Sequence, residues 1–231
     1  MPEALPPSMA DGDNPGRIKI RSEVAKFRAW AQQYPAEDRY GEWECGYEEW
    51  AELHRSFVDC LDTMLPAADL CCEVADDLVY AIARDNEISY LASQLGQRPL
   101  LLSKLLPSIL ACEEPDARWQ TAAQLGKHVL PFATAESALL QLVEDQDEYV
   151  RRIALQALGR IGSPHAERLC SRAWESGHEY QRIMALWVLL TIESRQLGRY
   201  LALAKEDGRK YLCMNAARIE SGDSRPDWLA D

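Results

Sequence analysis

Long hydrophobic runs and an excess of basic residues are both missing from this sequence. Its longest apolar stretch, residues 183–192, is interrupted by Thr191 and is shorter than the roughly 18 apolar residues of a membrane span. Lys and Arg number 25 against 37 Asp and Glu in 231 residues, which gives a formal net charge of −12. Because phosphate groups attract basic surfaces, we expect neither nucleic acid nor an anionic membrane as a partner.

The motifs of nucleotide-binding loops, zinc proteases and serine hydrolases are also missing. No two of the seven cysteines are spaced as CxxC, and we expect buried thiols in a reducing cytoplasm rather than disulfides or a zinc site. His54 shares a predicted helix with Glu49, Glu52 and Cys60, but no known spacing of nucleophile and base fits it. The sequence therefore predicts no catalytic residue, no metal and no cofactor, although it does not exclude a pair of catalytic carboxylates.

A repeat of 31 residues organises most of the chain. Residues 147–163 and 178–194 are identical at eight of seventeen aligned positions, among them Glu148/Glu179, Tyr149/Tyr180 and Ala154/Ala185. The same period recurs in single residue types: alanine at 92, 123, 154, 185 and 216, glutamate at 113, 144, 175 and 206, and aspartate at 85, 116 and 147. Repeats of this length are typical of stacked helical units.

Within one repeat the apolar residues follow helical spacing. Val150, Ile153, Ala154, Ala157 and Leu158 lie at i, i+3, i+4, i+7 and i+8, which predicts one buried helix face. An aspartate before such a helix caps its N-terminus, and we expect second helices to begin near residues 85, 116, 147, 178 and 209. A single hairpin cannot bury its apolar face alone, so the hairpins must stack.

The segment from Asp147 to Gly162, DEYVRRIALQALGRIG, resembles a HEAT repeat of the short bacterial variety named after phycobilisome lyases. The copy at His178 departs from that pattern at His178, Gln181 and Leu190. The resemblance implies an all-α, right-handed α-solenoid of about five hairpins over residues 69–220. It also implies a ladder of Asp and Arg between repeats, for which Asp147, Arg151 and Arg182 are the matches.

The chain outside the repeats is predicted to differ from them. Residues 1–16 are rich in proline and acids, which predicts a disordered leader without an export signal. Residues 17–68 are expected to form an N-terminal helical cap, with one amphipathic segment over 17–33, a loop over 36–46 and a helix from about Tyr47 to Met64. Residues 221–231 are predicted to be a loose tail.

Negative charge is concentrated in one part of the sequence. Fifteen acidic and three basic residues fall within residues 36–90, which we name the acidic segment. Two interpretations remain open: a solvated helix face, or a docking surface for a basic protein on which an exposed Trp43 is an anchor. The candidate partner-binding residues are Glu42, Trp43, Glu44, Glu48, Glu49, Glu52, Asp76 and Asp77.

The sequence favours a non-catalytic protein-binding module in the cytoplasm. The acidic charge and the resemblance to HEAT repeats fit the role of an immunity protein that blocks a basic toxin such as a nuclease, because complementary charge accelerates association. The alternative is a HEAT-like enzyme or enzyme accessory. The resemblance extends to proteins that attach bilins and to helical-repeat proteins that excise alkylated DNA bases, but the latter need a basic concave face.

Overall fold

Helices make up all the regular secondary structure of the part of the chain that the computed structural model describes, residues 14–39, 41–64 and 71–222. Within these ranges no helix combines the length and the apolar character that crossing a bilayer requires. The α-helices are α1 (Pro15–Ala31), α2 (Trp50–Thr63), α3 (Cys72–Arg84), α4 (Tyr90–Gly96), α5 (Pro99–Ala111), α6 (Pro115–Leu125), α7 (Phe132–Leu142), α8 (Glu148–Arg160), α9 (Ala166–Glu175), α10 (Glu179–Thr191), α11 (Leu197–Asp207) and α12 (Lys210–Glu220).

The chain divides into two compact units, Met1–Ile109 and Leu110–Asp231. In the first unit α1 packs against α2 and α3, and α4 packs against the same two helices. The side chain of Asn14 accepts hydrogen bonds from the backbone N–H groups of Gly16 and Arg17, so it caps α1 and Pro15 takes the first helical position. The leader predicted over residues 1–16 is therefore too long at its C-terminal end, because residues 14–16 form the cap and the first turn of α1. Its first thirteen residues lie outside the described part of the chain.

Aromatic side chains fill the core of the first unit around Phe27. The ring of Phe27 is fully buried, and its centroid lies 4.7 Å from that of Tyr47 and 5.2 Å from that of Trp50. The apolar face predicted for the helix over 47–64 is the buried one, since Leu53, Phe57 and Leu61 are all inaccessible to solvent or nearly so. Ile18 departs from the expected pattern of α1, because 56% of it is exposed.

The predicted start of a helix at Asp85 is wrong by five residues. Asp85 ends α3, and α4 begins only at Tyr90, after Ser89 has adopted a left-handed conformation with φ of 51°. The carboxylate of Asp85 nevertheless reaches forward and accepts a 2.7 Å hydrogen bond from the backbone N–H of Leu91. The residue thus caps the helix from a distance, a geometry that spacing along the chain does not show.

The second unit is a stack of helical hairpins, as an α-solenoid requires. Helices α6, α8, α10 and α12 pack in series, each against the next, and α7, α9 and α11 each contact the helices on both sides in sequence. The described starts at Pro115, Glu148, Glu179 and Lys210 agree with the predicted starts to within one residue. The 31-residue period therefore corresponds to one hairpin of the stack.

Small residues in mid-helix let the stacked helices approach closely. Ala154 of α8 and Ala185 of α10 are fully buried. A Cβ atom added to Gly159 would lie 2.8 Å from Cγ1 of Val188, so this glycine is required by the contact between α8 and α10. The helix end comes later, where Gly162 takes a φ of 71° that favours glycine.

The predicted ladder of Asp147, Arg151 and Arg182 does not form as such. Asp147 caps its own helix by accepting from the backbone N–H groups of Tyr149 and Val150. Arg151 donates to the backbone carbonyls of residues 145 and 146, within the same repeat. Only Arg182 reaches the following hairpin, where it forms an ion pair with Asp207.

Other polar side chains join neighbouring repeats at the same period. The carboxylate of Glu148 accepts from the side chain of Gln181, and the carboxylate of Glu179 accepts from the backbone N–H of Leu212. Ser163 donates to Glu136 at 2.6 Å, and Ser194 donates to Glu167 one repeat later. These contacts explain why glutamate and serine recur at equivalent positions of the two best repeats.

Candidate functional site

Basic residues of α1 neutralise much of the acidic segment. This helix carries five basic residues and one acidic residue, and it packs against α2 and α3, which hold many of the acids. The ion pairs formed across these contacts are Lys19–Glu52 at 2.6 Å, Arg21–Glu73 at 2.7 Å, Arg21–Asp77 at 3.7 Å, Lys26–Glu49 at 3.4 Å and Arg28–Asp77 at 3.3 Å. The chain thus supplies its own basic partner for three of the candidate docking acids, Glu49, Glu52 and Asp77.

Glu44 is buried, so its prediction as a partner-binding residue is wrong. Only 2% of it is exposed, and one of its oxygens lies 3.5 Å from the guanidinium of Arg84. In contrast, Glu42, Glu48 and Asp76 are exposed, and none of them forms an ion pair with another described residue. Of the seven candidate docking acids, these three side chains, which we name the open acids, are therefore the ones left for a partner.

Trp43 is built into the aromatic core and is not an exposed anchor. Its ring stacks on that of Trp30 with an interplanar angle of 7° and a centroid distance of 5.5 Å. The guanidinium of Arg39 lies over it at 5.0 Å, so both neighbours limit access to the ring. Residues 41–49, which we name the acidic loop, therefore differ in exposure: Trp43 is half-buried and Glu44 is buried, whereas Glu42 is exposed.

A pocket of about 240 Å³ opens beside the acidic loop in the first unit. Its lining residues come from the turn before α2, from α2 itself, from the end of α3 and from the connection between α3 and α4; they are Glu44, Cys45, Trp50, His54, Arg84, Asp85, Glu87 and Ile88. Nε2 of His54 lies 3.1 Å from a carboxylate oxygen of Asp85. The imidazole also packs between the rings of Trp50 and Tyr90, at centroid distances of 5.3 and 4.9 Å.

This pocket brings together a thiol, an imidazole and a carboxylate, the types of group that a nucleophilic enzyme uses. Desolvation raises the pKa of the Cys45 thiol, and the carboxylates of Glu87, Glu42 and Glu44 raise it further. The protonated thiol is the weaker nucleophile. Asp85 holds His54 with one oxygen and caps α4 with the other, so both oxygens already have structural partners.

Three exposed groups at the acidic loop are close enough to share a cation. The potential ligand atoms of Glu42, Cys45 and Glu87 all lie within 4.8 Å of one another. Carboxylates and thiolates are both common ligands of divalent metal ions in proteins. However, the thiol must lose its proton to bind, and its environment raises its pKa.

A row of exposed tyrosines follows the repeats of the second unit. Tyr149, Tyr180 and Tyr211 are each the second residue of α8, α10 and α12, and they are 39%, 47% and 51% exposed. We name these three residues the tyrosine row. The guanidinium of Arg152 lies over both Tyr149 and Tyr180, and the ring of Trp119 meets Tyr149 edge to face at 5.2 Å.

Sequence reasoning missed this row, although its signal was present. Several other repeated positions are buried, as are Ala154 and Leu158, or bridge neighbouring repeats, as does Glu148, whereas the recurring glutamates at 113, 144, 175 and 206 are exposed like the tyrosines. The tyrosines repeat with the same period and stay exposed, so burial in the stack does not account for them. A test for repeated residues that lie off the apolar stripe would have identified them.

Comparison with known proteins supports the repeat assignment. Residues 102–190 match the family model described as HEAT repeats. The match includes α6–α9 and most of α5 and α10. No curated protein and no solved structure matches the sequence. The chain therefore contains HEAT-like repeats.

Proposed function

We propose that this protein is a non-catalytic protein-binding module and that its partner docks on the tyrosine row. The observation that carries the proposal is the recurrence of an exposed tyrosine at the second position of three successive stacked helices. Tyrosine is enriched at protein interfaces, because it offers a large apolar ring with a polar tip and few rotatable bonds. Arg152 fixes two of the rings, which lowers the entropy lost when they bind.

The test is capture of a partner from the native host, followed by measurement of its affinity. The triple variant Y149A/Y180A/Y211A should lose the partner, since interface tyrosines often contribute more than about 1 kcal/mol each. The matched control is Phe132→Ala, which removes a comparably exposed aromatic ring, 47% accessible, from α7 in the same unit. Equal affinity of the triple variant, the control and the wild type would exclude the tyrosine row as the binding surface.

The second candidate surface is acidic and would bind a basic protein. It is favoured by the open acids Glu42, Glu48 and Asp76, which are exposed and form no ion pair with a described residue. A toxin with a basic active site, such as a nuclease, is one partner of this kind, and the protein would then act as its immunity protein. Charge reversal in E42K/E48K should slow association with such a partner and weaken its salt dependence.

An enzymatic role has less support than binding. The thiol that faces the pocket has a raised pKa, and the carboxylate next to the histidine caps a helix. All seven cysteines are free thiols, three of them exposed, which suits a reducing compartment such as the cytoplasm. An activity would be detected as turnover that H54A abolishes while the helical circular dichroism stays unchanged.

A further inference from the structure

We infer that the pocket beside the acidic loop is a binding site for an arginine side chain presented by a basic protein. This inference deepens the second candidate function, because it names the residue that would anchor a basic partner. Three properties of the pocket support it: the volume, the charge of the walls and the shape of the aromatic surface.

The volume suits one amino-acid side chain. At about 240 Å³ the cavity is below the roughly 300–1,000 Å³ of pockets that hold drug-sized ligands or cofactors. Trp50 and Ile88 give it apolar walls, and Ile88 is 68% exposed at the rim. Such walls match the aliphatic stem of a long side chain whose charged head reaches a polar group.

The charge of the lining favours a cation. Glu44, Asp85 and Glu87 are acidic, against the single basic residue Arg84, and Arg84 lies beside Glu44. Asp85 is engaged by His54 and by the start of α4. Glu87 is the carboxylate in the lining that is exposed and forms no ion pair with a described residue.

A second carboxylate strengthens the attraction at the same place. An oxygen of Glu42 and an oxygen of Glu87 lie within 4.8 Å of each other. Two like charges at this distance repel, and a cation that contacts both relieves the repulsion. A planar guanidinium can donate to two carboxylates at once, whereas an ammonium group acts as a point charge.

Flat aromatic surfaces favour arginine over lysine. The indole of Trp50 lines the pocket, and a guanidinium stacks on such a ring. The same chain already uses this contact elsewhere, since Arg28 lies 4.1 Å from the ring of Tyr80 and Arg39 lies over Trp43. The occupant that fits volume, charge and shape together is therefore an arginine side chain.

The experiment uses the full chain and small probes, so it needs no protein partner. Nα-acetyl-arginine amide, the corresponding lysine derivative and the norleucine derivative are titrated in turn against isotope-labelled protein. The reporter is the NMR signal of the Trp50 indole N–H, which donates to the backbone carbonyl of Glu44 in the pocket wall. We expect saturable binding of the arginine probe in the millimolar range, about threefold or more tighter than lysine, and no saturation with norleucine.

Glu87→Gln should weaken binding of the arginine probe by about three- to fivefold, since it removes one partly exposed charge pair. The matched control Glu48→Gln changes another exposed acid of the same unit, one that does not line the pocket, and should leave the affinity unchanged. Any of three results would overturn the inference. These are absence of saturation at about 100 mM of the arginine probe, equal binding of all three probes, and an unaltered affinity of E87Q for the arginine probe. Because the probe is a free amino-acid derivative, failure to find a basic protein partner would not affect this result.

Discussion

Arg152 of α8 contacts the aromatic rings of two successive repeats. Its guanidinium carbon lies 4.6 Å from the centroid of Tyr149 in the same helix and 5.0 Å from that of Tyr180 in α10. One basic side chain thus joins two exposed rings that belong to different hairpins. The contact combines a role in stacking the repeats with a role in holding the tyrosine row in place.

Arg152→Gln should lower the free energy of unfolding by about 1 kcal/mol, because it removes two cation–π contacts and the 3.6 Å ion pair between Arg152 and Glu148. Arg152→Lys should recover only part of the loss, since an ammonium group does not stack on the rings. Urea unfolding followed by circular dichroism measures both. A glutamine variant as stable as the wild type would show that the contacts contribute nothing to the stack.

Ala154→Trp and Ala185→Trp should each destabilise the protein by about 3 kcal/mol or more. Both alanines are fully buried where neighbouring helices meet, and a large ring forces the helices apart. Ala133→Trp is the control, because Ala133 lies exposed on α7. Thermal melts of the three variants compare them directly, and unchanged melting of the two buried variants would contradict close packing there.

Trp43→Ala should reduce stability by about 2 kcal/mol, because the half-buried indole loses its stack on Trp30 and its contact with Arg39. An exposed binding anchor would behave differently, with little change in unfolding and a faster dissociation from the partner. Urea unfolding of the variant distinguishes the two cases. Wild-type stability would restore the interpretation of Trp43 as an anchor.

The effect of charge reversal on stability should depend on whether the acidic side chain is buried. E42K/E48K should keep the wild-type stability to within about 0.5 kcal/mol, because both side chains are exposed and form no ion pair with a described residue. Glu44→Lys should cost about 3 kcal/mol or more, since it places a second buried cation beside Arg84. Equal melting temperatures for the two variants would show that Glu44 is not a buried charge.

Asp207 should make stability depend on pH at acid values. Hydrogen bonds from Arg209 and then Arg182 lower the pKa of its carboxyl to about 2 in the folded chain, against about 3.9 in an unfolded chain. The carboxylate therefore stabilises the fold above about pH 4, and this contribution is lost as the pH falls through about 2. Because solvent screens the interaction of Asp207 with the two arginines, we expect it to contribute about 1 kcal/mol to the free energy of unfolding at neutral pH.

The measurement for Asp207 is urea unfolding of wild type and Asp207→Asn at neutral pH and near pH 2. The two should differ at neutral pH and differ much less near pH 2, where about half of the folded wild-type carboxyl is protonated. Asp76→Asn, an exposed residue without an ion pair among the described residues, should match wild type at both values. A difference that persists unchanged at pH 2 would exclude the carboxylate as its cause.

The sequence by itself determined the helical hairpins of the second unit. Each repeat has apolar residues at helical spacing and an alanine at the same position of its second helix. Because the stacked units are similar, each one buries the same helix face and makes the same close contacts with its neighbours. The helix starts at 115, 148, 179 and 210 follow from that period, and Asp147 caps its helix as its position indicates. Local pattern was sufficient wherever each interaction lay within one hairpin or repeated from one hairpin to the next.

Only the tertiary structure decided which charges and aromatic rings remain available. Lys19, Lys26 and Arg28 of α1 meet acids that are far away in sequence, so the net charge of residues 36–90 overstates the acidic surface. Trp43 and Glu44 are neighbours of exposed residues in the chain but face the core. Exposure depends on contacts between distant segments, and neither composition nor spacing records those contacts.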